Sequence, residues 1–272
     1  MKPAAAFPRP LSGQVPGTPA MLCRMPNGAS NKDSLPVTFW ERAAETRWGR
    51  YLTSAEKAAL ETAASSVRPG TSLEIGCDGG RWSQLLGALG WSTICVDVRE
   101  EAVELCRLRI PSARCLLVKP DDSSFPVADS SVNLLLVYEV PHVTTSPWFA
   151  AEAARVLEPG GMLVCTVSNP ASIRAAAYRA WMLVSEARRR VSIYDGPPFR
   201  HVQRDLEAHG FNLLLKEGLG WAPFGRRSES RLIPFFTWLE QVLGLRRLVR
   251  FSPFVVVVAR GRATESLRES RS

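Results

Sequence analysis

From Ser72 to Val167 two apolar patterns take turns along the chain. Short, nearly unbroken apolar runs have the length and composition of buried strands: SLEIG (Ser72–Gly76), STICVDV (Ser92–Val98), CLLV (Cys115–Val118), VNLLLVY (Val132–Tyr138) and MLVCTV (Met162–Val167). Between them, Arg81–Leu89, Glu100–Arg109 and Trp148–Leu157 read as helices, and in the second of these Ala102, Leu105, Cys106 and Arg109 share a face. A strand that is apolar on both faces must be covered on both. The alternation therefore predicts an α/β fold, a mostly parallel sheet between two layers of helix.

Two helices are expected ahead of this series, Phe39–Leu52 and a second opened by a Thr53/Glu56 capping box and running to about Ser66. After Asn169 come a basic helix from Ser172 to about Arg190, a helix around His201–His209, a strand Asn212–Glu217, an amphipathic stretch Leu232–Phe251 and a last apolar strand Phe254–Ala259. Pairing the two late strands leaves 218–253 as an insertion at the sheet edge, where substrate-shaping segments commonly lie. Residues 1–35, rich in Pro, Ala, Gly, Ser and Asn without periodicity, read as a disordered tail. The expected domain is 36–272, divided into N-terminal helices (36–70), a central core (71–169) and substrate-side helices and edge strands (170–272).

Composition narrows the class. The chain has 272 residues and is 46% hydrophobic, enough for one α/β core. Its six cysteines, Cys23, Cys77, Cys95, Cys106, Cys115 and Cys165, show no C-x-x-C pair and no histidine at ligand spacing, so reduced buried thiols are expected, with neither a metal site nor a disulfide framework. No run approaches the roughly 18 apolar residues of a spanning helix, and Pro3, Pro8, Arg9 and Pro10 interrupt any signal-peptide core, which points to the cytoplasm. The net charge of +8 is uneven: residues 1–173 carry 16 Lys+Arg against 17 Asp+Glu, and residues 174–272 carry 18 against 9.

The chemistry concentrates in the loop after the first strand, Glu74-Ile75-Gly76-Cys77-Asp78-Gly79-Gly80-Arg81. Open parallel sheets bind ligands at the carboxyl ends of their strands, where a glycine-rich turn lets backbone approach a cofactor. A dinucleotide fingerprint would place glycine at 78 and 81, and an aspartate beside two phosphates would be repelled by about 1 kcal/mol or more. A sulfonium cofactor has no phosphate and carries positive charge, so Glu74 and Asp78 suit it. Asp97, about twenty residues on, is placed to accept both ribose hydroxyls. Asp121 and Asp122 follow the third strand, where a carboxylate accepts from an adenine amino group. Cys77, Val98 and Tyr138 sit at the same strand ends.

In these motifs the chain resembles the class I S-adenosylmethionine-dependent methyltransferases, from about Ser72 to Asn169 and more weakly to Ala259. The family's first motif is matched by Glu74, Gly76 and Gly80, with Asp78 in place of the middle glycine. Its ribose-binding acid falls on Asp97, and its adenine-contacting acid on Asp121, followed by Phe125 and Pro126. Glu152-Ala153-Ala154-Arg155-Val156-Leu157-Glu158-Pro159-Gly160-Gly161 matches its E-x-x-R-V-L-x-P-G-G passage, the most specific single likeness. The chain departs at Val132-Asn133, usually Phe-Asp, and at Lys119, usually small. The resemblance implies a Rossmann-like fold with a seven-stranded sheet and an antiparallel C-terminal strand, and S-adenosyl-L-methionine as cofactor.

His142, in Tyr138-Glu139-Val140-Pro141-His142-Val143 after the fourth strand, is the candidate catalytic base, and packing or orienting the cofactor is the alternative for it. This stretch is similar to quinone-pathway and related small-molecule O-methyltransferases. Ser168-Asn169-Pro170 does not fit the amino-methylating signature of nucleic-acid enzymes, and Asn169 is read as a loop residue near the substrate mouth. Leu232–Phe251 either lies on an anionic membrane or covers a lipid-like acceptor, or else packs its apolar face on the sheet edge with solvated arginines. Arg188-Arg189-Arg190 and Arg226-Arg227 are the candidate RNA contacts. The reading is a small-molecule or lipid-linked acceptor methylated at oxygen, with peripheral membrane contact through 232–251 and no nucleic-acid partner. An RNA methyltransferase, or an inactive methyltransferase-like binding subunit, is the alternative.

Overall fold

A computed structural model of the chain describes residues 35–184 and 196–262. The tail expected over 1–35 lies outside them except for Leu35, and so do Cys23 and Arg188-Arg189-Arg190. Two helices come first, α1 (Phe39–Glu45) and α2 (Arg47–Ser65). The break falls at Thr46, not at Thr53. Thr38 and Glu41 form the capping box of α1, and the Thr46 hydroxyl accepts from Gly49 N to cap α2. A side chain at Gly49 would run into the backbone of Ala43, so glycine permits the tight corner.

The alternating series follows as read: β1 (Thr71–Ile75), α3 (Arg81–Ala88), β2 (Ser92–Asp97), α4 (Glu100–Arg109), β3 (Arg114–Leu117), β4 (Val132–Val137), α5 (Pro141–Thr144), α6 (Phe149–Val156) and β5 (Leu157–Ser168). The short helix α5 was not anticipated. Pro141 occupies its first turn, where the missing N–H costs nothing. Then come α7 (Ile173–Val184), α8 (Phe199–Ala208), β6 (Asn212–Leu219), α9 (Ile233–Val242) and β7 (Phe254–Arg260).

The seven strands lie in the order β3-β2-β1-β4-β5-β7-β6. β1 to β5 are mutually parallel, and β7 runs antiparallel to both β5 and β6. Side chains alternate across the sheet as a period of two requires. Leu73, Leu135, Val137, Leu163, Cys165 and Val257 pack with Phe149, Val156 and Leu206 on one face. Leu134, Leu136, Met162, Val164 and Val256 pack with Trp48, Leu60, Trp82 and Leu86 on the other. Both faces are dry, which is why these strands read as unbroken apolar runs.

The stretch 232–251 does not pack as one amphipathic helix. α9 ends at a left-handed Gly244 and is followed by a 3₁₀ turn, Leu245–Arg247. Within α9 only Ile233 and Glu240 are buried. Ile233 and Phe236 pack into the core on the Trp48 side of the sheet, as the packing reading expects, whereas Leu232, Phe235, Trp238, Val242 and Leu243 are each more than half exposed, so much of the apolar surface of this stretch is left uncovered. Asn169 is not at a substrate mouth. It is buried, and its amide donates to the carbonyls of Arg250 (2.9 Å) and Ser252 (3.0 Å), pinning the segment that enters β7. Among the described residues no helix is long and apolar enough to cross a membrane.

Candidate active site

Chain order runs outward from β1 to β2 to β3, then crosses back to β4 on the other side of β1. The loops leaving β1 and β4 therefore diverge and open a crevice at the carboxyl ends of the strands. The register sets Ile75 level with Val96 and Val137, so three strand ends form one floor.

The loop after β1 is tightly built. Gly76 and Gly80 have φ of 74°. A side chain at Gly76 would collide with Val140, and one at Gly80 with Cys106 and Ile110. Asp78, φ 49°, takes the left-handed conformation that aspartate tolerates better than most residues. Its N–H donates to Asp97 Oδ2 (2.9 Å), and its carboxylate pairs with Arg99 at 2.5 Å. Asp97 Oδ1 also accepts from Arg99 N (3.0 Å). Despite partial burial, Asp78 and Asp97 together hold the Arg99 pKa above its ordinary value. The replacement of a glycine by Asp78 is thus accompanied by its own counter-ion.

Glu74 lies beneath this loop, buried in β1, and accepts from Ser83 N (3.0 Å) and Ser83 Oγ (2.6 Å). Burial, with Cys95 beside it, pushes its pKa up to about 8 against the lowering effect of those hydrogen bonds. Its acceptor caps the first turn of α3, which has no side-chain cap of its own.

Across the crevice, Tyr138 donates its hydroxyl to the Glu56 carbonyl (2.6 Å) and meets Trp82 edge to face. Glu139, φ 60°, donates its N–H to Thr166 Oγ1 (2.7 Å) and pairs through its carboxylate with Arg226. Arg226 stacks over Trp40, 5.0 Å from the ring centroid, and burial lowers its pKa while Glu56 opposes the shift. Arg226 therefore faces inward, and its expected place as an RNA contact is corrected. His142 stands on α5 at the rim with no hydrogen-bond partner among the described residues; neighbouring atoms displace enough water to lower its pKa.

One cavity of about 510 Å³ gathers Glu74, Gly76, Cys77, Asp78, Asp97, Val98, Asp121, Asp122, Tyr138 and His142. Gly80 does not line it and acts through packing against α4. Sequence reading missed Trp40, Glu56, Arg81, Arg99, Glu139, Trp148 and Arg226 in the same lining. Glu139 adjoined a residue already singled out. Arg226 returns from a distant insertion, and the basic pair Arg226-Arg227 points from sequence to an RNA contact, not to this lining.

A family model described as "Methyltransferase domain" matches residues 73–165. The matched segment runs from β1 to β5, and the seven-stranded sheet has the fold of the class I S-adenosylmethionine-dependent methyltransferases. A demethylmenaquinone methyltransferase from Tropheryma whipplei is 27% identical over 112 residues, 40% of this chain and 47% of the relative. The chain thus spans about half the length of the curated relatives it matches. Among solved structures, a geranyl diphosphate methyltransferase in complex with GPP and sinefungin superposes with a TM-score of 0.53 at 17% identity, covering 78% of this chain and 80% of that one. The N-methyltransferase NodS from Bradyrhizobium japonicum, in complex with S-adenosyl-l-homocysteine, gives 0.51 at 17%, covering 81% and 90%. At these identities the likeness is one of fold.

The methyltransferase domain also explains its most specific passage. Glu152 accepts from Phe125 N (2.9 Å), and Arg155 donates to the carbonyls of Phe125 and Val127 (3.0 Å each) while pairing with Glu152 and Asp129. These two side chains tie the loop that follows Asp121 and Asp122 to α6.

Proposed function

We propose that the chain is an S-adenosylmethionine-dependent methyltransferase that acts at oxygen on an apolar small-molecule or lipid-linked acceptor. The observation that carries this reading is the convergence of Glu74, Asp78, Asp97, Asp121 and His142 on one cavity at the β1/β4 switch point. The lining suits the cofactor: it is rich in carboxylates, and its loop holds Asp78 where a dinucleotide would need glycine. S-adenosylmethionine supplies, when bound, an electrophilic methyl group on a cationic sulfur.

The chain's own residues do the rest. Asp97 accepts from the ribose hydroxyls, Asp121 and Asp122 flank the adenine, and the Gly76–Gly80 backbone cradles the amino-acid end. His142, neutral at pH 7, takes the proton of an acceptor hydroxyl as it becomes a nucleophile. Positioning of the acceptor in line with the methyl group supplies much of the acceleration. Trp40, Val143 and Trp148 give the cavity apolar walls. The exposed apolar residues of α9 stand beside Arg231, Arg247 and Arg250, which are exposed and form no ion pair among the described residues. That combination fits peripheral contact with an anionic membrane from the cytoplasmic side.

The test is transfer of a labelled methyl group from S-adenosylmethionine to phenolic, isoprenoid-phenol and amine acceptors presented in mild detergent. Label on a phenolic oxygen is expected. Label only on amines would overturn the oxygen assignment.

A further inference from the structure

Four cysteines that are far apart in sequence meet at one buried point. Cys77 comes from the loop after β1, Cys95 from the middle of β2, Cys106 from α4 and Cys115 from β3. The Sγ atoms of Cys95, Cys106 and Cys115 lie within 4.8 Å of one another. Cys95 and Cys115 are direct partners in the register of β2 and β3. Cys77 packs with them in the same small buried cluster. None of the four is more than 6% exposed, and they form a small core of their own with Val103, Ile110 and Ala113.

Cores commonly use cysteine singly, as a small hydrophobe. Cys165 is of that kind, alone in β5 and packed in a different cluster, with burial pushing its pKa up to about 12. The four-thiol cluster is different, because its oxygen acceptors are few. Ser83 Oγ lies 3.1 Å from Cys95, the Asp78 carbonyl 3.8 Å from Cys77 and the Ala113 carbonyl 3.9 Å from Cys115.

We propose that Cys77, Cys95, Cys106 and Cys115 form a closed tetrathiolate site for one thiophilic d10 cation of the zinc class. A zinc–sulfur bond of about 2.3 Å puts the four sulfurs of a tetrahedron about 3.8 Å apart, so Cys95, Cys106 and Cys115 need to draw in by about 1 Å at most, and Cys77, on the loop after β1, closes the site from the side of the crevice. An all-sulfur donor set selects a soft ion over magnesium or calcium. On binding, each thiol loses its proton to solvent and a metal–sulfur bond replaces the S–H bond, releasing up to four protons per ion. Ser83 bridges Cys95 to Glu74, and Arg107 donates to the Cys115 carbonyl at 3.0 Å, placing a cation beside the thiolates. Cys77 lines the cavity at the carboxyl ends of the strands and gives the ion its way in. Filling the site ties the Gly76–Gly80 loop to β2, β3 and α4.

Cobalt(II) titration of the full-length, reduced, metal-stripped chain tests this. One equivalent is expected to bind with a thiolate-to-cobalt charge-transfer band of four-sulfur intensity, displaced by zinc(II). The band should persist in Cys23→Ser/Cys165→Ala and vanish in Cys106→Ala/Cys115→Ala, with folding checked by circular dichroism. If the latter variant does not fold, alkylation mapping of the wild-type chain takes its place, with zinc(II) expected to protect those four cysteines and no others. Absence of the band while all six thiols titrate, an undiminished band in Cys106→Ala/Cys115→Ala, or a different set of protected cysteines would overturn the site.

Discussion

His142 and Arg226 show how one environment sets different roles for two basic side chains. His142 stands at the rim with its pKa lowered by neighbouring atoms, so at pH 7 it is a neutral imidazole ready to accept a proton. Arg226 lies deeper, paired with Glu139 and stacked on Trp40, where its fork shapes the wall without exchanging protons. Replacing His142 by Ala is expected to lower turnover by about 100-fold or more while leaving cofactor affinity unchanged. Because the proposed base works only when neutral and its pKa is lowered, the acid limb of the wild-type rate profile should fall below pH 6.5. Steady-state kinetics across pH checks both, and a His142→Ala enzyme with normal turnover would remove the base role. The motif residues among these were legible because their type and spacing are local facts. Arg226 was not, since its inward turn depends on how an insertion of the chain folds back over the crevice.

At the scale of elements, Glu74 joins a strand to a helix. Its carboxyl lies in β1 and accepts two hydrogen bonds from Ser83 in the first turn of α3. Its folded pKa, about 8, lies above the ordinary 4.5, so the folded chain keeps a proton that the unfolded chain has lost between these values. Stability attributable to this group is therefore full below about pH 4.5 and declines as pH rises towards 8. Glu74→Gln keeps an acceptor for Ser83 and cannot ionise, so thermal melts should show the variant gaining on wild type across that window. Parallel pH profiles for the two proteins would contradict the assignment. The strands were readable because apolar faces on both sides leave an unbroken run. The α1/α2 corner was misplaced because Thr53/Glu56 matches a capping box as well as Thr38/Glu41 does, and only the close approach of Gly49 to Ala43 shows where the chain bends.

Over the whole molecule, the excess positive charge and the exposed apolar face of α9 lie in the same third of the chain. α9 turns Phe235, Trp238 and Val242 to solvent, and Arg247 and Arg250 follow it. Ile173, at the start of α7, and Phe251 extend that surface, joined by the Ile173 N–H to Phe251 carbonyl hydrogen bond (3.3 Å). Each aromatic side chain moved from water into an apolar layer is worth about 1.5–3 kcal/mol, and each arginine at an anionic surface about 1 kcal/mol. Sedimentation with anionic vesicles should show binding that weakens with salt and falls at least tenfold in Phe235→Asp/Trp238→Asp. Equal binding by that variant would remove α9 from any membrane contact. Hydrophobic periodicity alone did not settle this helix, because an apolar stripe reads alike whether it meets a sheet or a lipid surface.

The crevice at the β1/β4 switch point is proposed to bind S-adenosylmethionine through Asp97. Calorimetric titration with S-adenosylmethionine and S-adenosylhomocysteine tests it most directly, on the wild type and on Asp97→Ala. Both ligands are predicted to bind the wild type at one site per chain. Losing hydrogen bonds to a charged acceptor, about 1.5–3 kcal/mol each, should weaken the variant at least tenfold without unfolding it. No heat from a folded wild-type chain, or wild-type affinity in Asp97→Ala, would contradict the account.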